Sequence, residues 1–367
     1  MEGITDRVLS LLEASGQNRR TFAQDIGLDD SKLSKSLNGA RRFSSLDLAR
    51  IADKCRVTVD WLVTGEEPTL AVAARTTSGQ ARTALEAAKQ YSTMREDLAV
   101  FGWEQPWRPL EAEIPGGTYA EQGRALAAAA LARVAEAGLS LTDAALPALV
   151  EQAFGADVAV VGLDEGFDGL AASSDEAKLI VLGTSQVPAR QRFTLAHELG
   201  HLLVGDDQGV HLDKDVYDKA QAKDPSEMRA NSFASAFLIP EDTLRTAAGT
   251  TGLSEDSFAA LSCDLQISPF ALAIQLQQLR LIDAGMCDRL RKITAAKAAA
   301  LAGRSEEFSR HVADASTPRP PGLLVRDSYM AYESGATTLR PYASLLGVDV
   351  DELRRALEAE EGVPGVS

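Results

Sequence analysis

Cysteine is nearly absent from this chain: Cys55, Cys263 and Cys287 are the three among 367 residues, far apart and with no C-x-x-C pairing. That argues against a disulfide framework or a thiolate zinc site, and it suits a reducing cytosol, so a cytoplasmic location is expected. No run approaches eighteen apolar residues. The longest candidate, 125–135, is alanine-rich and interrupted by Arg133, so neither a transmembrane helix nor a membrane partner is expected. The opening MEGITDRVLSLLEASGQ has early acids around a short apolar run and does not read as a secretory signal. Histidine is scarce too, four in all, which makes the placing of two of them informative.

Those two are His197 and His201, in RFTLAHELGHLLVG at 192–205, with Glu198 beside the first. In a helix, residues four apart lie one turn apart and about 40° round the axis, so both rings can reach one metal ion. Phe193, Leu195, Leu199, Leu202 and Leu203 surround them as expected of a buried helix. Zinc accepts neutral imidazole and, at catalytic sites, keeps one position open for water. A carboxylate placed as Glu198 is where a zinc hydrolase carries its proton acceptor. Two histidines leave such a site one protein ligand short. The segment PSEMRANSFASAFLIP starts a helix at Pro225 and sets Glu227, Ala230, Asn231 and Ala234 along one face. Its small alanines allow close approach to the first helix, so Glu227 is favoured as third ligand and Asn231 as the group that orients a ligand histidine. Asp206, Asp207 and His211 are rival ligands, His211 reading more as a solvated loop histidine.

Net charge is −16, which taken alone argues against broad nucleic-acid binding. Its distribution points the other way. Between residues 31 and 56 lie Lys32, Lys35, Arg41, Arg42, Arg50, Lys54 and Arg56 against Asp47 and Asp53. A basic island on an acidic chain is the asymmetry of a nucleic-acid-reading module attached to something else. The same region reads as short helices at 4–14, 18–26, 30–37, 45–55 and 58–63, with Asn18 and Asp29 as caps and Gly27 as terminator. FAQDIGLDDSKLSKSLNGARRFSSLDLARIADKCRVTVDWLVTG resembles the phage-repressor-like (XRE, or Cro/C1-type) helix-turn-helix family, with Ala23 and Gly27 at its small packing residue and turn glycine. The resemblance implies that 30–37 is a recognition helix. Ser31, Lys32, Ser34 and Lys35 would then face the major groove, and Asn38, Arg41 and Arg42 would meet phosphates. Asp29 and Asp30 oppose phosphate unless capping consumes them. A protein-binding or dimerising role is the alternative for this unit, and a homodimer is compatible with it.

Glu66, Glu67 and Pro68 close the first module, 75–79 reads as linker, and a helix is expected at 80–100. The tryptophan- and proline-rich GWEQPWRPLEAEIPGG follows, its Trp103 and Trp107 pinning a loop to a domain surface. Two helices (119–137 and 146–154), three short β-type runs (157–162, 167–172, 178–182) and the H-E-x-x-H helix then predict an α+β domain with a β-meander. An edge strand of that sheet offers a peptide substrate a partner by β-augmentation.

RFTLAHELGHLL followed by EMRANSFASAFLIP resembles the ImmA/IrrE family of bacterial metallopeptidases, whose pattern F-T-x-A-H-E-x-G-H then E-x-x-A-N-x-F-A is met throughout. The resemblance implies that His197, His201 and Glu227 bind Zn2+, that Glu198 is the general base, and that the substrate is a helix-turn-helix repressor, cleaved in the cytosol to regulate transcription. Some members carry a helix-turn-helix domain of their own. A helix-turn-helix-like extension at about 252–283 lacks basic residues in its second helix, which favours protein contact. TPRPPG at 317–322 reads as an extended linker to a small helical tail.

The expected architecture is mostly α and multidomain. It comprises an all-α helix-turn-helix module (1–66), a helical and loop connector (67–118), a central α+β zincin-like domain with a small meander (119–302) and a helical C-terminal extension (303–367). The expected function is a zinc metallo-endopeptidase with an attached DNA-binding domain. Its alternative is a DNA-binding regulator whose metal site is sensory or structural.

Overall fold

A computed structural model describes residues 3–15, 17–55, 57, 59–65, 82–110, 116–142, 145–162, 168–205, 210–213, 225–249 and 253–361. The chain divides into two compact units, 1–78 and 79–367.

In the first unit five helices, α1 (Ile4–Ala14), α2 (Arg19–Asp25), α3 (Asp30–Leu37), α4 (Ser45–Cys55) and α5 (Val59–Thr64), close on a core of Val8, Phe22, Ala23, Ile26, Leu33, Ile51 and Leu62. Local chemistry sets the boundary between α2 and α3. Asn18 accepts from the Thr21 amide to start α2. Gly27, at φ +63°, lets the Leu28 amide return to the Ala23 carbonyl at 2.8 Å and end it. Asp29 then accepts from the Ser31 amide at 2.8 Å to start α3. Buried Arg7 ties α1 to α5 through the carbonyls of Leu62 and Val63.

The second unit is built round a four-stranded sheet of β1 (Asp157–Val161), β2 (Gly169–Ser173), β3 (Lys178–Gly183) and β4 (Val210–Asp213), in the order β1-β3-β2-β4. This is not the expected meander. β2 and β3 form an antiparallel hairpin, but β1 pairs with β3 in parallel, and β4 adds to the far side of β2. The reason lies in burial. Val158, Ala159 and Val160 are all buried, as are Leu179 to Leu182, so β1 and β3 are covered on both faces. Such continuous apolar strands belong to parallel pairings inside a layered domain.

One face of the sheet, through Ala171, Ile180 and Leu182, shares a core with α9 (Pro188–Val204). The alternate residues Leu170, Leu179 and Val181 serve the other face. There α6 (Arg82–Val100), read from the sequence as a connector, packs on β2 and β3 as part of this unit. Arg95 of that helix is fully buried. It chelates Asp157 at 2.8 and 2.9 Å and reaches Asp327 at 2.7 Å, on the Gly322–Glu333 helix. The expected linker 317–322 is likewise structural. Arg319 exchanges main-chain hydrogen bonds with Val160 at 2.8 Å, covering the outer edge of β1, and its side chain pairs with Glu151. Trp107 packs on the main core and Trp103 on a second cluster round Leu98 and Leu324, the pinning role expected of both.

Helix α7 (Tyr119–Glu136), opened by a Thr118–Glu121 capping box, lies against α10 (Pro225–Leu238). A Cβ on Gly123 of α7 would sit 2.8 Å from the Phe233 amide nitrogen and inside the Arg229 carbonyl. The obstacle is backbone, which cannot swing aside. Gly123→Ala should therefore lower stability by about 1 to 3 kcal/mol through overpacking. Urea unfolding followed by tryptophan fluorescence checks this, and an unchanged midpoint would contradict the packing.

Candidate metal centre

Helix α9 opens on Pro188, whose missing amide is one a first turn leaves unbonded, and closes on Gly205 at φ +73°. Between them every residue from Thr194 to Leu203 is buried. Helix α10 crosses close above it, because Gly200 presents no side chain: a Cβ there would be 2.9 Å from the Phe233 ring. That approach carries Glu227 to the two histidines.

His197 Nε2 and His201 Nε2 lie 3.0 Å apart, and each is 3.4 Å from a carboxylate oxygen of Glu227. Among the described residues these three form the one cluster of histidine, cysteine or acidic side chains able to hold a metal ion, and all three are buried. Four ligands set tetrahedrally at zinc distances from nitrogen and oxygen would stand about 3.3 Å apart. The observed edges of 3.0, 3.4 and 3.4 Å fit such a donor set.

His197 Nδ1 lies 3.1 Å from Asn231 Oδ1, a contact that orients the ring with Nε2 towards Glu227. The Phe193 ring lies 6.4 Å from that imidazole between centroids. Burial pushes the Glu227 carboxyl pKa up, but hydrogen bonds and charge from the two imidazoles outweigh it and hold the group well below the usual carboxylate range. Glu227 therefore stands ready as an anionic donor. Glu198, next to His197 on α9, is fully buried.

Of the rival ligands, Asp206 and Asp207 lie outside the described residues. His211, read as a loop residue, falls on strand β4 opposite Ala171. Arg192 went unremarked in the sequence, yet it is buried on the same helix. It follows Arg190 and Gln191 in PARQRF, so nothing local in the sequence sets it apart from a solvated arginine.

In the first unit Ser31, Lys32, Lys35, Asn38 and Arg42 are exposed on or just after α3, and Ser34 is half-buried. Arg41, expected to meet phosphate, turns inward instead, 2.7 Å from Asp47 and 3.0 Å from Ser36 Oγ. The two acids at the start of α3 are engaged, Asp29 as the cap and Asp30 with Arg19 at 2.9 Å. Arg50 donates to the Gly27 carbonyl and Lys54 lies 3.6 Å from Asp25, so much of the basic island is tied within the unit.

Residues 160–277 match the family described as the IrrE N-terminal-like domain, Peptidase_M78. The radiation response metalloprotease IrrE of Deinococcus radiodurans is 33% identical over 94 residues, 25% of this chain and 29% of that protein. Its counterpart in Deinococcus deserti is 44% identical over 78 residues, 20% of this chain and 28% of that protein. The chain thus spans under a third of the length of these curated relatives. No single helix among the described residues is long and apolar enough to cross a membrane. The matched stretch contains the whole metal cluster, and it is this part of the chain that is similar to the IrrE N-terminal-like domain.

Proposed function

We propose that the second unit is a zinc metallo-endopeptidase of the H-E-x-x-H type, and that it acts in transcriptional regulation by cleaving a helix-turn-helix repressor. The first unit, on this reading, is a helix-turn-helix module that binds DNA. The observation that carries the peptidase is the meeting of His197 Nε2, His201 Nε2 and the Glu227 carboxylate at edges suited to one small tetrahedral ion. The match of 160–277 to a peptidase family supports it, as do two relatives named as metalloproteases.

A bound zinc ion supplies Lewis acidity, polarising a carbonyl and making a water more acidic. The chain's own residues do the rest. His197 and His201 would each offer a ring nitrogen to the ion, Asn231 holds the first ring in register, and Glu227 adds a negative charge that matches the cation. Glu198 accepts a proton from the attacking water and passes it to the departing amine. Its burial keeps that carboxylate away from bulk solvent. An extended substrate would pair with a sheet edge. Because Arg319 covers β1, the edge that serves is β4.

A second reading is a DNA-binding regulator whose metal site is sensory or structural. The exposed Lys32, Lys35 and Arg42, beside acids already engaged elsewhere, favour it.

Elemental analysis of the purified full-length chain, wild type beside Glu227→Ala, tests the centre. The wild type should hold about one zinc per chain, and the variant should lose most of it. A wild type that takes up no zinc even when zinc is supplied would remove the peptidase.

A further inference from the structure

Arg192 precedes His197 by five residues, which turns it about 140° round the helix from His197 and about 180° from His201. It therefore leaves α9 on the side away from the metal cluster. The residue is only 9% exposed. Among the described residues its Nε meets no hydrogen-bond partner, and its hydrogen bond is a long 3.4 Å one from Nη2 to the Leu141 carbonyl. No carboxylate pairs with it among the described residues. Burial with no opposing charge pushes its guanidinium down to about 10. A cation kept from water in this way is costly unless an anion joins it.

A cavity of about 430 Å³ opens beside Arg192, between the Ser305–Ala315 helix and the starts of α8 (Leu146–Phe154) and α9. Neither helix start has a capping side chain: the cap positions are Ala145 and Val187, with Pro147 and Pro188 in the first turns. Two positive helix ends and a buried guanidinium thus address one space. Other charges on its wall are already matched, Arg319 by Glu151 and Glu307 by Arg304 at 2.6 Å. That leaves Arg192 and the exposed Arg310 against Asp314. An adjoining, mostly apolar cavity of about 280 Å³, lined by Val187, Ile267 and Phe308, shares Pro188 and His311 with the first and offers room for an organic body.

We propose that this cavity is a binding site for a small oxyanion, phosphate or carboxylate, with Arg192 as its principal hydrogen-bond donor. The fork of the guanidinium suits two oxygens of one such group, and the helix ends add favourable potential. The site is separate from the metal cluster and does not depend on the peptidase reading.

The test is calorimetric titration of the full-length chain at constant ionic strength, with inorganic phosphate in one arm and hexanoate in the other. One or both should bind saturably at a single site. Binding of phosphate alone identifies an inorganic or phosphoryl ligand, and tighter binding of hexanoate identifies a carboxylate with an apolar body. Arg192→Met should weaken binding at least tenfold, because a charge-assisted fork is lost. In chloride buffer this variant should melt no lower than the wild type, since it removes a buried unmatched charge. Arg192→Lys, which keeps the charge and loses the fork, serves if the methionine variant does not fold, and should also bind more weakly. The proposal is overturned if neither anion saturates below about 10 mM, a weak limit even for one charge-assisted contact, or if the Arg192 variants bind as tightly as the wild type.

Discussion

Glu198→Gln should keep its metal and lose between about a hundredfold and ten-thousandfold of peptide-bond cleavage, the range that one positioned proton acceptor contributes. The candidate ligand atoms belong to His197, His201 and Glu227 and not to Glu198, so zinc content should match the wild type. Glutamine has nearly the shape of glutamate, so the buried position on α9 should repack without a cavity. It has no basic oxygen, and the proton of the attacking water has nowhere to go. The measurement is cleavage of repressor-type proteins by the purified full-length chain, read on a gel beside zinc content from the same preparation. Cleavage surviving at the wild-type rate would remove Glu198 from the mechanism. The sensory reading makes the opposite forecast: metal content, salt-sensitive DNA binding and regulation would all be indifferent to this substitution.

The metal cluster was legible in the sequence because its information is local. Four residues separate His197 from His201, and helical geometry alone brings them together. Glu227 required a further step, the small residues that let a second helix come close. Gly200 and Ala230 supply that approach, with the Phe233 ring packed over the glycine. Asn231 follows from Glu227 by one helical turn. The inward turn of Arg41 is hidden from the sequence for a related reason. Its place after α3 suits phosphate, but nothing in the run ARRF says that Asp47, six residues on, claims the guanidinium.

The sheet was less legible. Short apolar runs mark β1, β2 and β3 without saying which edges meet, and the hairpin geometry of β2 and β3 invites a meander. Placing β1 beside β3 requires the chain to pass β2, a choice made by burial on both faces. Strand β4, which follows the metal helix, carries no apolar run long enough to declare itself. Least legible of all was the fate of the segments read as connector and tail. Arg95 sits in RTALEAAKQYSTMREDLAV, where a basic residue ordinarily lies in solvent, and Asp157 opens a strand like any turn acid. Their pairing spans 62 residues and that with Asp327 spans 232, separations at which no periodicity operates.

That network should dominate the stability of the second unit. Arg95→Met removes the one cation that, among the described residues, Asp157 and Asp327 share; Arg326 reaches Asp327 from the surface side, but Asp157 keeps among those residues the Gln105 amide at 2.9 Å as its remaining side-chain donor. Breaking a buried ion pair by deleting one partner costs about 3–5 kcal/mol, because the remaining charge is stranded. With a denaturant slope near 3 kcal/mol per molar, the urea midpoint should fall by about 1–2 M. Burial already pushes the Asp157 carboxyl up to about 6 with Arg95 beside it, so without the guanidinium the native state must favour its protonated form still more. A carboxyl whose folded pKa lies above its unfolded value binds protons on folding, so stability falls as pH rises from the unfolded value through the folded one. The deficit of Arg95→Met should therefore be largest at pH 7–8 and shrink towards pH 5, about one unit below the present value. Urea titrations of both proteins at those pH values check this. A deficit under 1 kcal/mol at pH 7.5, where a stranded charge must cost more, or one that grows on acidification, would show that Asp157 does not rely on Arg95. The helix before the sheet and the helix after it would then be joined to it by apolar packing alone.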